Sequence, residues 1–348
     1  MQQNREEMKE NKDIQLSIIV PIYNVENYIR PCIESIFRQD LDEDIFEVII
    51  VNDGTKDRSM EMIQDIIEQH KNITIINQEN QGLSVARNNG IANARGEYIF
   101  MPDSDDLLIE NSLKPLLEKA LETRADLIVA DFLTMTDDEI NNITVIPQKD
   151  FCVKEKTGEQ LFLEDHSPYH CFVWRNLYKK EFLINANLSF YPRIRFQDIP
   201  FTYKCYLKAN KCLKVSWLLN IYRIWPGSST GSFDTDKAKD FCIAISKTWE
   251  LTNQSIKVSV CNKIKNNMWI SLTVMMRLAI HNIKNRREIA DIIIFLKKVA
   301  PNLEFSNGIK QRIASFFFKY SPLIFIQLLY IYILLYEDRI LPLYRHIK

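Results

Sequence analysis

Over its first hundred residues the chain alternates short apolar runs with amphipathic stretches, and this pattern limits its fold more than any other feature. Residues 16–20, 48–51, 73–76 and 98–101 have the branched and aromatic composition of buried strands. Residues 25–37, 60–67 and 83–94 carry apolar side chains at helical spacing, with Pro31 marking a late start or a bend in the first of them. Strand, helix and strand repeated with short links predict an α/β fold: a Rossmann-like, mostly parallel central sheet with flanking helices. Ligands of such sheets sit beyond the carboxyl ends of the strands.

Three of the strands run into polar residues at that end: Tyr23-Asn24, Asn52-Asp53-Gly54 and Asp103-Ser104-Asp105-Asp106. Three carboxylates within four residues repel one another, and a divalent cation with oxygen ligands would offset that repulsion. A solvated turn or a helix cap accounts for the same aspartates without a metal. Gly82 begins a helix with Ser84 and Arg87 in its first turns, a combination that favours phosphate, although Arg87 taken alone reads more readily as a surface residue. Asp198 stands at the head of a helix running to Leu207, where an N-cap acid is also expected. Pro21 to Val25 contains no glycine, and GxxxxGK[ST] occurs nowhere. A dinucleotide enzyme and a P-loop ATPase are therefore disfavoured.

Beyond residue 110 the pattern predicts a helix over 113–121, a strand over 127–132, a polar loop or hairpin edge over 134–142 and an exposed charged stretch over 153–160. It further predicts a helix over 172–183, a strand over 214–219 and a turn-rich loop from Asn220 through Ser229. After residue 235 only helices are expected, over 241–251, 260–280 and 290–299. Seven widely spaced cysteines without a CxxC pair, and a polar 1–13 segment without an apolar core, fit reduced thiols and a cytoplasmic setting. A formal net charge of -1 gives no bias toward nucleic acid. Charge is uneven, however: residues 257–319 hold twelve Lys/Arg against three acids, and 320–336 then carry no formal charge. This predicts a segment lying on a membrane surface, with a buried helix and a short span as alternatives.

Four stretches in order carry a resemblance: Ser17-Ile18-Ile19-Val20-Pro21-Ile22-Tyr23-Asn24, Val51-Asn52-Asp53-Gly54-Thr55-Lys56-Asp57, Asn80-Gln81-Gly82-Leu83-Ser84-Val85-Ala86-Arg87-Asn88 and Asp103-Ser104-Asp105-Asp106. Together they resemble glycosyltransferase family 2, inverting enzymes of GT-A fold that use nucleotide-activated sugars in bacterial surface-polysaccharide synthesis. The likeness extends over about residues 15–230. It implies a polar tail at 1–14, a nucleotide-sugar half at 15–110, an acceptor half at 111–232 and a helical, membrane-associating region at 233–348.

The resemblance implies that Pro21 and Tyr23 line the base pocket, Asp53 contacts the base, Arg87 and Ser104 help hold the donor, and Asp103 and Asp105 form the DxD pair around Mn2+ or Mg2+. Asp198 matches the general base, with Gln197 where the family usually has Glu. That exchange removes a charge that would otherwise raise the pKa of Asp198. Tyr222, Arg223 and Ser228 match a closing element near the diphosphate. The implied partners are a nucleotide-sugar donor, UDP-linked by family precedent, and a glycan or lipid-carrier-linked acceptor at the inner face of the cell membrane, with no nucleic acid. The alternatives are a catalytically weak member serving as a binding subunit of a synthase complex, and a sugar nucleotidyltransferase, whose glycine-rich N-terminal loop is absent.

Overall fold

The computed structural model describes residues 13–144, 146–225, 233–253, 257–305 and 308–345. Its first half follows the alternation: β1 (Leu16–Ile22), α1 (Ile29–Ile36), β2 (Phe46–Asn52), α2 (Gln64–Gln69), β3 (Ile73–Asn77), α3 (Leu83–Asn93) and β4 (Tyr98–Phe100). Helix α1 starts later than its apolar spacing alone suggests. Pro31 falls in its first turn, where the missing N–H is not needed. The second half contains β5 (Leu107–Leu108), α4 (Leu113–Thr123), β6 (Leu127–Thr136), α5 (Asp137–Asn142), β7 (Cys152–Lys156), α6 (Gly158–Asp165), β8 (Asn176–Lys179), α7 (Lys180–Asn185), α8 (Asp198–Lys208) and β9 (Cys212–Ile224). Five helices follow: α9 (Thr235–Trp249), α10 (Val258–Asn282), α11 (Arg286–Val299), α12 (Ile309–Tyr320) and α13 (Pro322–Arg345).

The strands among the described residues form one sheet in the order β3-β2-β1-β4-β8-β6-β9-β5, with β7 also on β9. It is parallel from β3 to β4. Beyond β4 it is mixed: β8 lies antiparallel between β4 and β6, and β6 runs parallel to β9. Side chains alternate faces along each strand. Ile18, Val20 and Ile22 therefore pack with residues of α1, α2 and α4 on one face, while Ile19 and its neighbours pack with α3, α6, α8 and the C-terminal helices on the other.

Several elements differ from their sequence reading. Residues 172–183 form a turn, then β8 and the short α7, because Leu177 and Tyr178 fill the ladder between Phe100, Ile99 and β6. The aromatic spacing that mimicked a helix belongs to a stack of Phe172 on Trp174 with centroids 4.6 Å apart. Residues 220–224 are not loop: they continue β9, paired with β5 and β6. Thr136 and Glu139 close a capping box that turns 137–142 into α5. The charged 153–160 stretch is largely exposed, as expected, yet ordered as the edge strand β7 and the start of α6. In the apolar run, Ser321 separates α12 from α13. Phe325, Leu329 and Ile333 are buried, and the residues between them include exposed apolar side chains. Among the described residues no helix is long and apolar enough to cross a membrane.

Candidate active site

The crevice begins where β1 and β2 end. The backbone N–H of Asp53 donates to the Ile22 carbonyl (3.0 Å), locking the two strand ends together. Asn24 follows in the left-handed region at φ 52°, and its side chain and backbone tie to Lys56 N and Thr55 Oγ1. Pro21 is buried in β1, whereas Tyr23 projects into solvent. Asp53 is only 3% exposed. Its Oδ1 accepts from Gln78 Nε2 (2.7 Å) and Gln81 N (2.8 Å), and its Oδ2 from Gly82 N (2.9 Å). Asp53 thus clamps the 78–82 turn against β2, and that turn delivers helix α3. Gly82 holds φ 87°, which a residue with a Cβ adopts only at a cost.

Helix α3 aims Arg87 into the centre of the site. Arg87 is 2% exposed, pairs through Nη2 with Asp103 Oδ1, and lies 5.5 Å from the ring centre of Phe190. One turn position further, Asn88 exchanges two hydrogen bonds of 2.9 Å with the backbone of Phe190. Ser84 Oγ accepts from Arg193 N (3.0 Å). The sequence motif around Arg87 therefore also anchors the 190–197 segment, which carries Asp198. Arg193 and Phe196 both sit in the left-handed region at φ 59°, uncommon for residues with side chains, and the packing of Phe196 on Phe241 (4.6 Å) helps hold them there. Asp198 begins α8, where the helix N-terminus favours an anion. Burial nevertheless pushes its pKa up to about 6, opposed by Arg87 and reinforced by Asp103. The missing charge at Gln197 does not leave this group with a low pKa, because burial dominates.

On the other side of Arg87 lie the three acids that follow β4. Oxygens of Asp103, Asp105 and Asp106 lie within 4.8 Å of one another. Asp106 is 2% exposed; its Oδ1 accepts from Arg223 N (2.9 Å), and its Oδ2 has no partner among the described residues. Burial, then the neighbouring Asp105 and Asp103, push its pKa well up. Burial likewise raises Asp103, against the pull of Arg87. Hard oxygen donors, mutual repulsion and an unsatisfied buried oxygen suit a hard divalent cation. The turn is braced from β9: Arg223 Nε donates to the Asp105 carbonyl (2.8 Å) and Nη1 pairs with Asp137. Trp225 Nε1 donates to Asp105 Oδ2 (2.9 Å) and its ring packs on Tyr28 at 4.7 Å.

Most of the residues singled out in the sequence meet here. Arg87 pairs with Asp103 and acts on Asp198, Arg223 braces Asp105, and Asp53 holds the turn that delivers α3, with the buried Ser104 between two of the acids. Tyr222 faces the opposite side of β9, stacked on Trp174 at 5.5 Å, so the Tyr-Arg pair serves two surfaces. Ser228 lies outside the described residues. Asp106 was read as one of three clustered acids but given no role of its own, and Trp225, Tyr28 and Asp137 had not been singled out. Asp106 was visible inside the motif, while the other three depend on contacts 86, 120 and 197 residues apart in sequence.

The site thus places a buried arginine between a carboxylate cluster and a desolvated aspartate, at the carboxyl ends of the parallel strands. A solved structure of similar fold is S. aureus TarS 1–349 in complex with UDP-GlcNAc, with a TM-score of 0.65 at 21% identity over 83% of this chain and 82% of that one. Residues 17–182 match the model of Glycosyl transferase family 2. The uncharacterized glycosyltransferase EpsJ of Bacillus subtilis is 39% identical over 219 residues, 62% of either chain. Glycosyltransferase GlyG of Streptococcus pneumoniae is 30% identical over 240 residues, 67% of this chain and 78% of GlyG. The chain belongs to glycosyltransferase family 2. Its match spans less than two thirds of EpsJ's length.

Proposed function

We propose that this protein is an inverting glycosyltransferase that moves a hexosyl or N-acetylhexosaminyl group from a UDP-sugar to a hydroxyl of a glycan or lipid-linked acceptor. The observation that carries the reading is the pairing of Arg87 with Asp103 on one side of the crevice and its field on the desolvated Asp198 on the other. The UDP-GlcNAc complex of the TarS neighbour supports the choice of nucleotide. Residues 15–110 then form the donor half, 111–232 the acceptor half, and 233–348 a helical region that brings the enzyme to the cytoplasmic face of a membrane during polysaccharide, lipopolysaccharide or capsule synthesis.

Pro21, Tyr23 and the turn braced by Asp53 would receive the base. Asp105, with Asp103 and Asp106, would hold Mn2+ or Mg2+, which when bound neutralises the diphosphate oxygens and stabilises the leaving group. Arg87 orients Asp103 and favours its ionised form against burial, and Arg223 and Trp225 fix the backbone and side chain of Asp105. The acceptor oxygen attacks the anomeric carbon as the bond to the diphosphate oxygen breaks, and Asp198 takes the acceptor's proton. A single displacement converts an α-linked donor into a β-linked product.

The test is nucleotide release from a panel of nucleotide sugars, with and without Mn2+ or Mg2+. Release of UDP from one donor that requires the metal and disappears in Asp105→Ala is expected. Asp198→Asn should still bind that donor but fail to glycosylate acceptor. Absence of donor binding under all conditions would overturn the reading and favour a binding subunit.

A further inference from the structure

The C-terminal helices expose far more apolar surface than their packing requires. In α12 the exposed residues Ile309, Ile313, Phe316 and Tyr320 recur at steps of four, three and four, which is one face of a helix. In α13 Ile324, Leu328, Ile331 and Leu335 repeat the same steps, with Leu323 beside them. The opposite faces are buried: Ala314 and Phe318 in α12, Phe325, Leu329 and Ile333 in α13. Both helices are thus anchored by one apolar face and present a second one outward. Ile309 at the start of α12 and Leu335 in α13 are 80% and 74% exposed. Soluble domains rarely leave so many large apolar side chains exposed on adjacent helices.

Along the exposed stretch the formal charge has one sign, with the first acids of α13 only at Glu337 and Asp338. Residues 309–335 contain three basic residues, Lys310, Arg312 and Lys319, and no acidic one. All three are exposed. On the inward side of the same helices α11 packs two cations, the Arg286 guanidinium 5.8 Å from the Tyr330 ring centre and Lys297 Nζ 5.2 Å from that of the buried Phe318, so the basic flank of the outward face is made by Lys310, Arg312 and Lys319. An apolar face with basic flanks matches the boundary of a lipid bilayer carrying anionic headgroups, where side chains enter the acyl layer and cations meet phosphate. A second copy of this chain fits less well, since apposing two such faces brings like charges together.

We propose that the outward faces of α12 and α13 dock this protein on an anionic lipid surface, lying in the plane of the membrane without crossing it. The inference rests on, and narrows, the membrane-facing role given above to the C-terminal region. The helical region reaches the catalytic side through α9, whose Asp240 accepts from Arg195 N (3.2 Å) three residues before Asp198. A docked α12–α13 face would therefore hold the acceptor half close to lipid-linked glycan.

The experiment is flotation of the full chain with vesicles of phosphatidylcholine alone or mixed with phosphatidylglycerol. Strong binding to the mixed vesicles and weak binding to the neutral ones is expected. Arg312→Gln combined with Lys319→Gln should weaken binding to mixed vesicles about thirtyfold, at about 1 kcal/mol per charge. Ile313→Glu combined with Leu328→Glu should abolish binding while leaving UDP release in lipid-free solution unchanged. Failure to float with either vesicle, or flotation of the glutamate variant equal to the parent, overturns the proposal. So does a dimer, seen by sedimentation equilibrium, that the glutamate pair breaks without any lipid binding: the face would then belong to a second copy. A chain that floats but turns over no nucleotide sugar would refute the transferase reading and leave this one standing.

Discussion

Replacing Asp198, the proposed general base, with its neutral isostere should make the protein inactive and more stable at once. Burial pushes Asp198 up to about 6, against an ordinary aspartate near 4. Between about pH 4 and 6 the native state therefore binds more protons than the unfolded chain, so stability falls as pH rises through that window and stays lowered above it. A displacement of about 2 pH units corresponds to about 3 kcal/mol, the ceiling on what ionised Asp198 costs the fold at neutral pH. The residue keeps some access to solvent, which brings the expected cost to about 1–2 kcal/mol. Asp198→Asn has the same shape and no charge. Thermal melting at pH 7.5 should show the variant about 2–4 °C above the parent, and the gap should close as pH is lowered toward 4. Acceptor glycosylation by the parent should fall on the acid side of about pH 6. A variant that melts at or below the parent at pH 7.5, or a gap independent of pH, would refute the idea of a desolvated base.

Removing the central cation should act in the opposite direction. Arg87→Met leaves Asp103 without its partner and should cost about 3 kcal/mol, measured by urea unfolding, with part recovered in Arg87→Met combined with Asp103→Leu. Trp225→Phe keeps the ring against Tyr28 but deletes the hydrogen bond to Asp105, so metal titration of UDP release should shift by about fivefold, the equivalent of about 1 kcal/mol. Gly158→Ala would place a Cβ 2.0 Å from the Tyr206 carbonyl oxygen and 2.7 Å from that of Ala209. Because both obstacles are backbone, α6 must move off α8, and a loss of about 2–3 kcal/mol in urea unfolding is expected.

The sequence was most informative where structure is local or periodic. The four runs at 16–20, 48–51, 73–76 and 98–101 became β1 to β4: β1, β2 and β4 are covered on both faces and so are apolar along their length, while β3 is a half-exposed edge strand recognisable by its branched residues. The acids following β4, the glycine turn before α3 and Asp198 at the head of α8 were equally legible, since turns and helix starts depend on a few adjacent residues. The resemblance of the motifs to a known family supplied the roles. What the sequence could not reveal is how those residues serve one another. Asp53 spends both oxygens on holding the 78–82 turn, and Asn88 and Ser84 fasten the loop that leads to the base. Trp225 and Arg223 reach Asp105 across the sheet. Residues 176–179 and 220–224 became strands because buried backbone between β4, β6 and β5 had to be paired, a demand set by neighbours distant in sequence. The apolar run at 320–336 belongs to neither environment entirely. Only the packing of α13 determines which of its side chains are buried and which are exposed, because hydropathy alone cannot distinguish a face covered by protein from one left uncovered.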